Sequence, residues 1–352
     1  MILHIERLLV CSAVVCALSP VIAAEPVTLE NVVTPAENQK DEPLAETFSM
    51  DKALHFLDSA ALNWQKQKGC MTCHTNYAYL YARPTVDADA AAHQTVRAFA
   101  EDLVNTRWKE SGPRWPAEVI ATAAALAYND STTTNKLHES TRTALDRMWT
   151  IQREDGGFDW IKCGWPPMEN DDHYGVTMAA IAAGVAPEGY LQTEQAQKGI
   201  EGIRKWLKAN PAPTLHHQAM VLWASTYVDG LLTGDEQKAV VDKLLAAQHE
   251  DGGWSIAGIY PWERADKTPQ DTETSDGYGT GFSIFILRTA GIPADDAHLA
   301  KGIAWLKANQ RASGRWFTRS LFKDSKHYIT HCGTAFAVMA IQSCESELTA
   351  KK

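Results

Sequence analysis

Gln152-Arg-Glu-Asp-Gly156-Gly157-Phe158 returns as Gln248-His-Glu-Asp-Gly252-Gly253-Trp254 and again as Gln310-Arg-Ala-Ser-Gly314-Arg315-Trp316. The shared pattern is Gln, three residues, Gly, one residue, then an aromatic. An apolar helical stretch precedes each copy, at 145–151, 240–247 and 303–308, and a loop and a second helix of small and apolar residues follow. A lone helix pair cannot bury its apolar faces, so units that recur must stack. The spacing predicts that each Gly closes the first helix in a left-handed cap. The aromatic should then fold back over that helix end. Second helices are expected to stop at Ala183-Gly184, with Pro187 beyond, and at Ala290-Gly291, with Pro293 beyond.

Weaker copies lie between and before these. The run at 202–210 echoes the one at 302–309, but its turn carries Pro211 and Pro213 in place of glycines. Trp108 to Trp115 precedes a helix at 117–128. Gln65-Lys-Gln-Lys-Gly69-Cys70 keeps the Gln-to-Gly spacing at the start. Six hairpins result, near 51–82, 91–129, 137–184, 194–229, 235–290 and 296–343. Alternating β-branched runs are almost absent, which predicts an all-α fold. Six pairs can close into an α/α toroid with alternate helices inside and outside; an open solenoid is the alternative.

The Gln-x-x-x-Gly-x-Trp repeats resemble those of the squalene–hopene cyclase and protein prenyltransferase superfamily, over about residues 50 to 345. The runs Cys70–Pro84 and Lys162–Gly175 further resemble exported cyclase-repeat proteins of bacteria. That likeness implies an α/α toroid and leaves the reaction open. Triterpene cyclases protonate an alkene with an Asp-x-Asp-Asp motif, and its nearest match here is Glu169-Asn170-Asp171-Asp172, followed by His173. Glu in first place and His173 after it depart from the pattern. Acids at a helix start also serve as caps. Prenyltransferases hold zinc with Asp, Cys and His; Asp276 and His331 fall near two of those places, with Tyr278 where the Cys is expected. Glycan lyases and hydrolases on toroids need carboxylates, Tyr, His or Arg along a groove. The loop 260–266, with Trp165 and Tyr174, supplies candidates.

Cys70-Met71-Thr72-Cys73-His74 is a motif of another kind. Cys-x-x-Cys-His is the attachment pattern of c-type haem: two thiols bond the vinyl groups and the imidazole ligates the iron. Met168, in a Pro-containing loop, is the candidate sixth ligand, with His173, His327 and His331 competing. A zinc knuckle or a local disulfide is the alternative. Haem would make the chain an electron-transfer or redox-coupled protein with a redox partner protein. The alternatives are a toroid-cavity enzyme with a small-molecule or glycan ligand, and a non-catalytic binding scaffold. Catalytic candidates for the enzyme are Glu169, Asp171, Asp172, His173 and Asp276.

The N-terminus carries Arg7, an apolar stretch at 8–22 and small residues before Glu25, as a cleaved signal peptide over 1–24 does. Export to the periplasm or medium is expected, with no membrane span after cleavage. Residues 25–50 read as a flexible linker or extended arm, 51–346 as the repeat domain and 347–352 as a tail. Cleavage would remove Cys11 and Cys16 and leave five of seven cysteines, an odd and scattered set unlike a disulfide framework. Cys163, Cys332 and Cys344 are expected to be buried. The net charge of -10 argues against nucleic acid as a partner.

Overall fold

The computed structural model describes residues 25–108 and 114–350. The signal peptide expected over 1–24 lies outside them. Thirteen α-helices occur among the described residues, and the only β-pairings there are two isolated bridges, Leu44 with Arg311 and Trp165 with Glu169.

Six hairpins close a ring. Helices α1 (Met50–Lys68), α3 (Ala91–Asp102), α5 (Glu139–Thr150), α7 (Glu194–Ala209), α9 (Gly234–Ala246) and α12 (Ala297–Asn309) form the outer layer. The inner layer is α2 (Ala78–Ala82), entered through a π-turn at Cys73–Tyr77, then α4 (Trp115–Thr132), α6 (Asp172–Val185), α8 (Leu215–Ser225), α11 (Gly277–Thr289) and α13 (Ile329–Ala350). A short α10 (Ile256–Ile259) precedes α11. Each inner helix packs on the next, and α13 returns to α2, so the solenoid alternative falls away. Inner helices such as α4 and α6 are apolar on every side and buried along nearly their whole length, as a central layer requires. The axis is filled. Trp223 meets Tyr81, Tyr128, Phe285 and Phe336, rings from four other inner helices, at centroid separations of 5.1–6.4 Å.

The three strong repeats explain the ring's outer seams. Trp254 and Trp316 fold back as expected, each indole donating to a carbonyl of its own outer helix, Leu244 or Leu306. Each Gln reaches forward instead. The Nε2 of Gln152 donates to Gly199 O on α7, that of Gln248 to His298 O on α12, and that of Gln310 to Ser49 O at the cap of α1. The expected role of the glycines needs correction. Gly156 and Gly314 do have positive φ, but they lie six and five residues beyond their helices, in the following loop. A Cβ there would stand 2.0 Å from Gly202 O or 2.2 Å from Lys52 O, so glycine admits the next outer helix. Gly184 also lies within α6, whereas Gly291 does take the left-handed stop.

The segment 25–49 is extended and anchored. Arg315 is buried beneath it, pairing with Glu42 and donating to Ala36 O, Glu37 O and Asn38. It is a strap across the seam between the last and first hairpins, in place of a free linker. No helix among the described residues is long and apolar enough to cross a membrane.

Candidate active site

Outer and inner helices alternate in direction, so the inner helices begin at one rim. That rim gathers the π-turn, the caps Asp171, Thr214 and Asp276, and the start of α13. Amide dipoles there favour negative charge.

The acid cluster is contiguous in sequence but divides in space. Asp171 caps α6, accepting from Tyr174 N, and takes two further partners from distant hairpins. His217 Nε2 lies 3.1 Å from its Oδ2, and the Tyr260 hydroxyl donates to the same oxygen at 3.0 Å. Asn170 donates to both Tyr260 and Asp171. Thr214 fixes His217 from the other ring nitrogen at 2.7 Å. Burial alone would raise the Asp171 pKa, but His217, Tyr260 and Asn170 together hold it well below the usual carboxylate range. The Asp171 side chain is still 30% exposed while His217 is buried behind it.

The neighbours face elsewhere. Asp172 pairs with Arg153 and Lys162 and accepts from Trp160 N, which ties a repeat turn to α6. His173 Nε2 lies 2.8 Å from Asn210 O, with its ring edge-on to Trp206. Glu169 turns toward the cysteine motif, 3.9 Å from His74 Nε2, and burial raises its pKa. Asp276 is the cap of α11, accepting from Gly279 N, Ile256 N and Thr318 Oγ1. His331 contacts Thr75 and Asn38. Asp276 is thus a cap and His331 a hydrogen-bonded core residue, and among the described residues neither joins a set of three that could hold zinc. Tyr278 pairs with His216 at 2.8 Å.

The cysteine motif borders a cavity of about 280 Å³, walled by Cys70–His74, Tyr77, Trp64, Arg107, Arg114, Glu118 and Glu169. Cys73 is buried and its thiol pKa pushed up; Cys70 is part-exposed. All five described cysteines are free thiols, with Cys163 exposed where burial was expected. His74 stacks on Tyr328 at 5.2 Å and meets Trp64 edge-on, and burial depresses its pKa to about 4. No three His, Cys, Asp or Glu side chains among the described residues gather as an ion would need. Cys70, Cys73 and His74 border the cavity together, the residue types that covalent haem attachment uses. Met168 is packed in the core, its carbonyl accepting from Trp160 Nε1, apart from that cavity wall.

Known proteins agree with the ring. An 85-residue stretch is 33% identical to the squalene–hopene cyclase of Zymomonas mobilis, covering 24% of this chain and 11% of that enzyme. A polysaccharide lyase superposes over 86% of this chain and 98% of its own, with a TM-score of 0.53 and 10% identity. The chain has an α/α toroid fold. A possible glycoside hydrolase family 105 member from Salmonella enterica serovar Paratyphi A aligns over 88% of this toroid and 98% of its own chain, with a TM-score of 0.50 and 11% identity. No protein-family profile matches the chain.

Sequence reasoning placed Asp171 but missed His217, Tyr260 and Asn170 as its partners. The signal was present: Thr214 and His217 sit at the start of α8 in the register that Asp171 and Tyr174 occupy on α6.

Proposed function

We propose that the protein is a toroid-rim enzyme that transfers a proton from the Asp171–His217 pair to an electron-rich carbon–carbon double bond. One observation carries this: a part-exposed carboxyl held by His217, Tyr260 and Asn170. The proton transferred is the one the Asp171 carboxyl carries when protonated. A carboxyl whose pKa is held low is a strong donor once protonated, as carbon protonation demands. The alkene's π electrons take the proton, leaving a carbocation on substrate and a carboxylate on Asp171. Tyr260 and Asn170 stabilise that carboxylate by hydrogen bonds. The ring of Tyr260, 5.1 Å from that of His217, supplies aromatic surface to the cation. The cation then loses a proton or captures water. The squalene–hopene cyclase likeness supports an alkene substrate. Trp223 and its neighbours fill the bore, so the substrate is more compact than a triterpene.

The test is incubation in deuterium oxide with farnesol, geranylgeraniol, squalene and an unsaturated uronide disaccharide, read by mass spectrometry. One probe should return a cyclised or hydrated product carrying deuterium at the protonated carbon. Asp171→Asn should slow it by about 10²-fold or more. Turnover should rise as pH is lowered toward the acidic range in which the Asp171 carboxyl takes up its proton. Undiminished turnover in Asp171→Asn, or none of any probe by the native protein, overturns the reading.

A second reading rests on the cavity at Cys70–His74. There Cys70 and Cys73 would hold a covalent haem and His74 would ligate its iron, in an exported chain serving a redox partner. The group would supply one-electron chemistry; Arg107 and Arg114 would face its carboxylates. A pyridine haemochrome spectrum after expression with a haem-attachment system checks it, and an unmodified Cys70–His74 peptide by mass spectrometry rejects it.

A further inference from the structure

The outer ring is clasped at three seams by Gln152, Gln248 and Gln310. The α7–α8 turn lacks that device. Asn210 matches Asn309, each amide turning back to its own helix at Trp206 O or Trp305 O, so Pro211 stands in the place of Gln310 and no side chain there reaches the next outer helix. Pro211 and Pro213 replace the glycine turn that brings an outer helix close elsewhere. Between α7 and α9, over the outward face of α8, the ring carries a groove of about 860 Å³.

Its lining is two-toned. Leu207, Val221, Leu231, Leu232 and Val240 form an apolar floor. Arg204, Lys205, Lys208 and Lys243 edge it, against two acids, Glu201 and Glu236. Both acids are engaged: Glu236 closes the capping box with Thr233, and Glu201 pairs with Arg204. The groove is thus cationic at its edge on a chain whose formal net charge is -10. Its wall α7 has 16 residues, about 24 Å, the length of a four-turn helix.

We infer that this open seam docks an acidic amphipathic helix of a partner protein, whose apolar face covers the leucines while its carboxylates meet the lysines. The helix fills the place that clasp and aromatic occupy at the three clasped seams. The charged edge steers association and makes it salt-dependent.

A fluorescein-labelled 16-residue peptide, with Leu at i, i+3, i+4 and i+7 spacing and Glu between, tests this by anisotropy on the full chain. Saturable binding is expected, weakening about tenfold or more in Lys208→Glu/Lys243→Glu and in about 0.5 M salt. Both lysines are at the surface, so circular dichroism should show the variant folded. Hydrogen exchange with peptide bound should slow in α7, α8 and α9. No saturable binding overturns the inference, and so does equal binding of the Lys-for-Glu peptide. Displacement by dodecanoate at lower concentration than the peptide itself would make the groove a lipid site and overturn it too.

Discussion

Asp171 and Asp276 cap equivalent inner helices, yet their surroundings drive them in opposite directions. Asp171 has His217 beside it and stays ionised. Asp276 has amides and a hydroxyl but no cation, and burial raises its pKa to about 6. Between about pH 4 and pH 6 the folded chain therefore holds a proton on Asp276 that the unfolded chain has released. This group destabilises the fold as pH rises through that window, by roughly 3 kcal/mol at most. Asp276→Asn should abolish this slope in urea titrations across that range. It should also lower stability by about 1–3 kcal/mol, because the new amide would face Ile256 N or Gly279 N and Thr318. A pH slope unchanged by the substitution would refute the assignment. At this scale the sequence showed which residues are chemical, but not which meet. Asp171 and Asp172 are adjacent, yet one joins His217 and the other Arg153. Only the hairpin stacking decides that.

The helical elements were legible because apolar periodicity and caps are local properties of the chain. The six expected hairpins correspond to the six observed. The repeat glycines were misplaced for a non-local reason: what constrains Gly314 is the backbone of α1, far away in sequence. Gly314→Ala should cost roughly 2 kcal/mol or more in chemical denaturation, through the positive φ and the contact with Lys52 O. Gly69→Ala is the comparison, since Gly69 has positive φ but nothing within 4 Å of the added carbon. It should cost only the backbone strain, about 1–2 kcal/mol. Equal losses at both sites would show that the approach to α1 contributes nothing.

For the whole molecule, the strap and the ring closure are the features least visible in sequence. Residues 25–49 lack periodicity, and their order comes from Arg315, which no local pattern flags as buried. Glu42→Gln leaves that guanidinium enclosed without its charge partner. It should destabilise the protein by about 3 kcal/mol and speed proteolysis within 25–49. A melting temperature and cleavage pattern like those of the native chain would show that the strap is incidental.

The Gln310–Ser49 bond joins positions 261 apart. During synthesis the first spoke of the wheel must therefore wait, with one flank bare, until the last spoke has left the ribosome. Late-arriving contacts of that span are slow to form. The interval before them is when this protein is most exposed to aggregation and most in need of a chaperone.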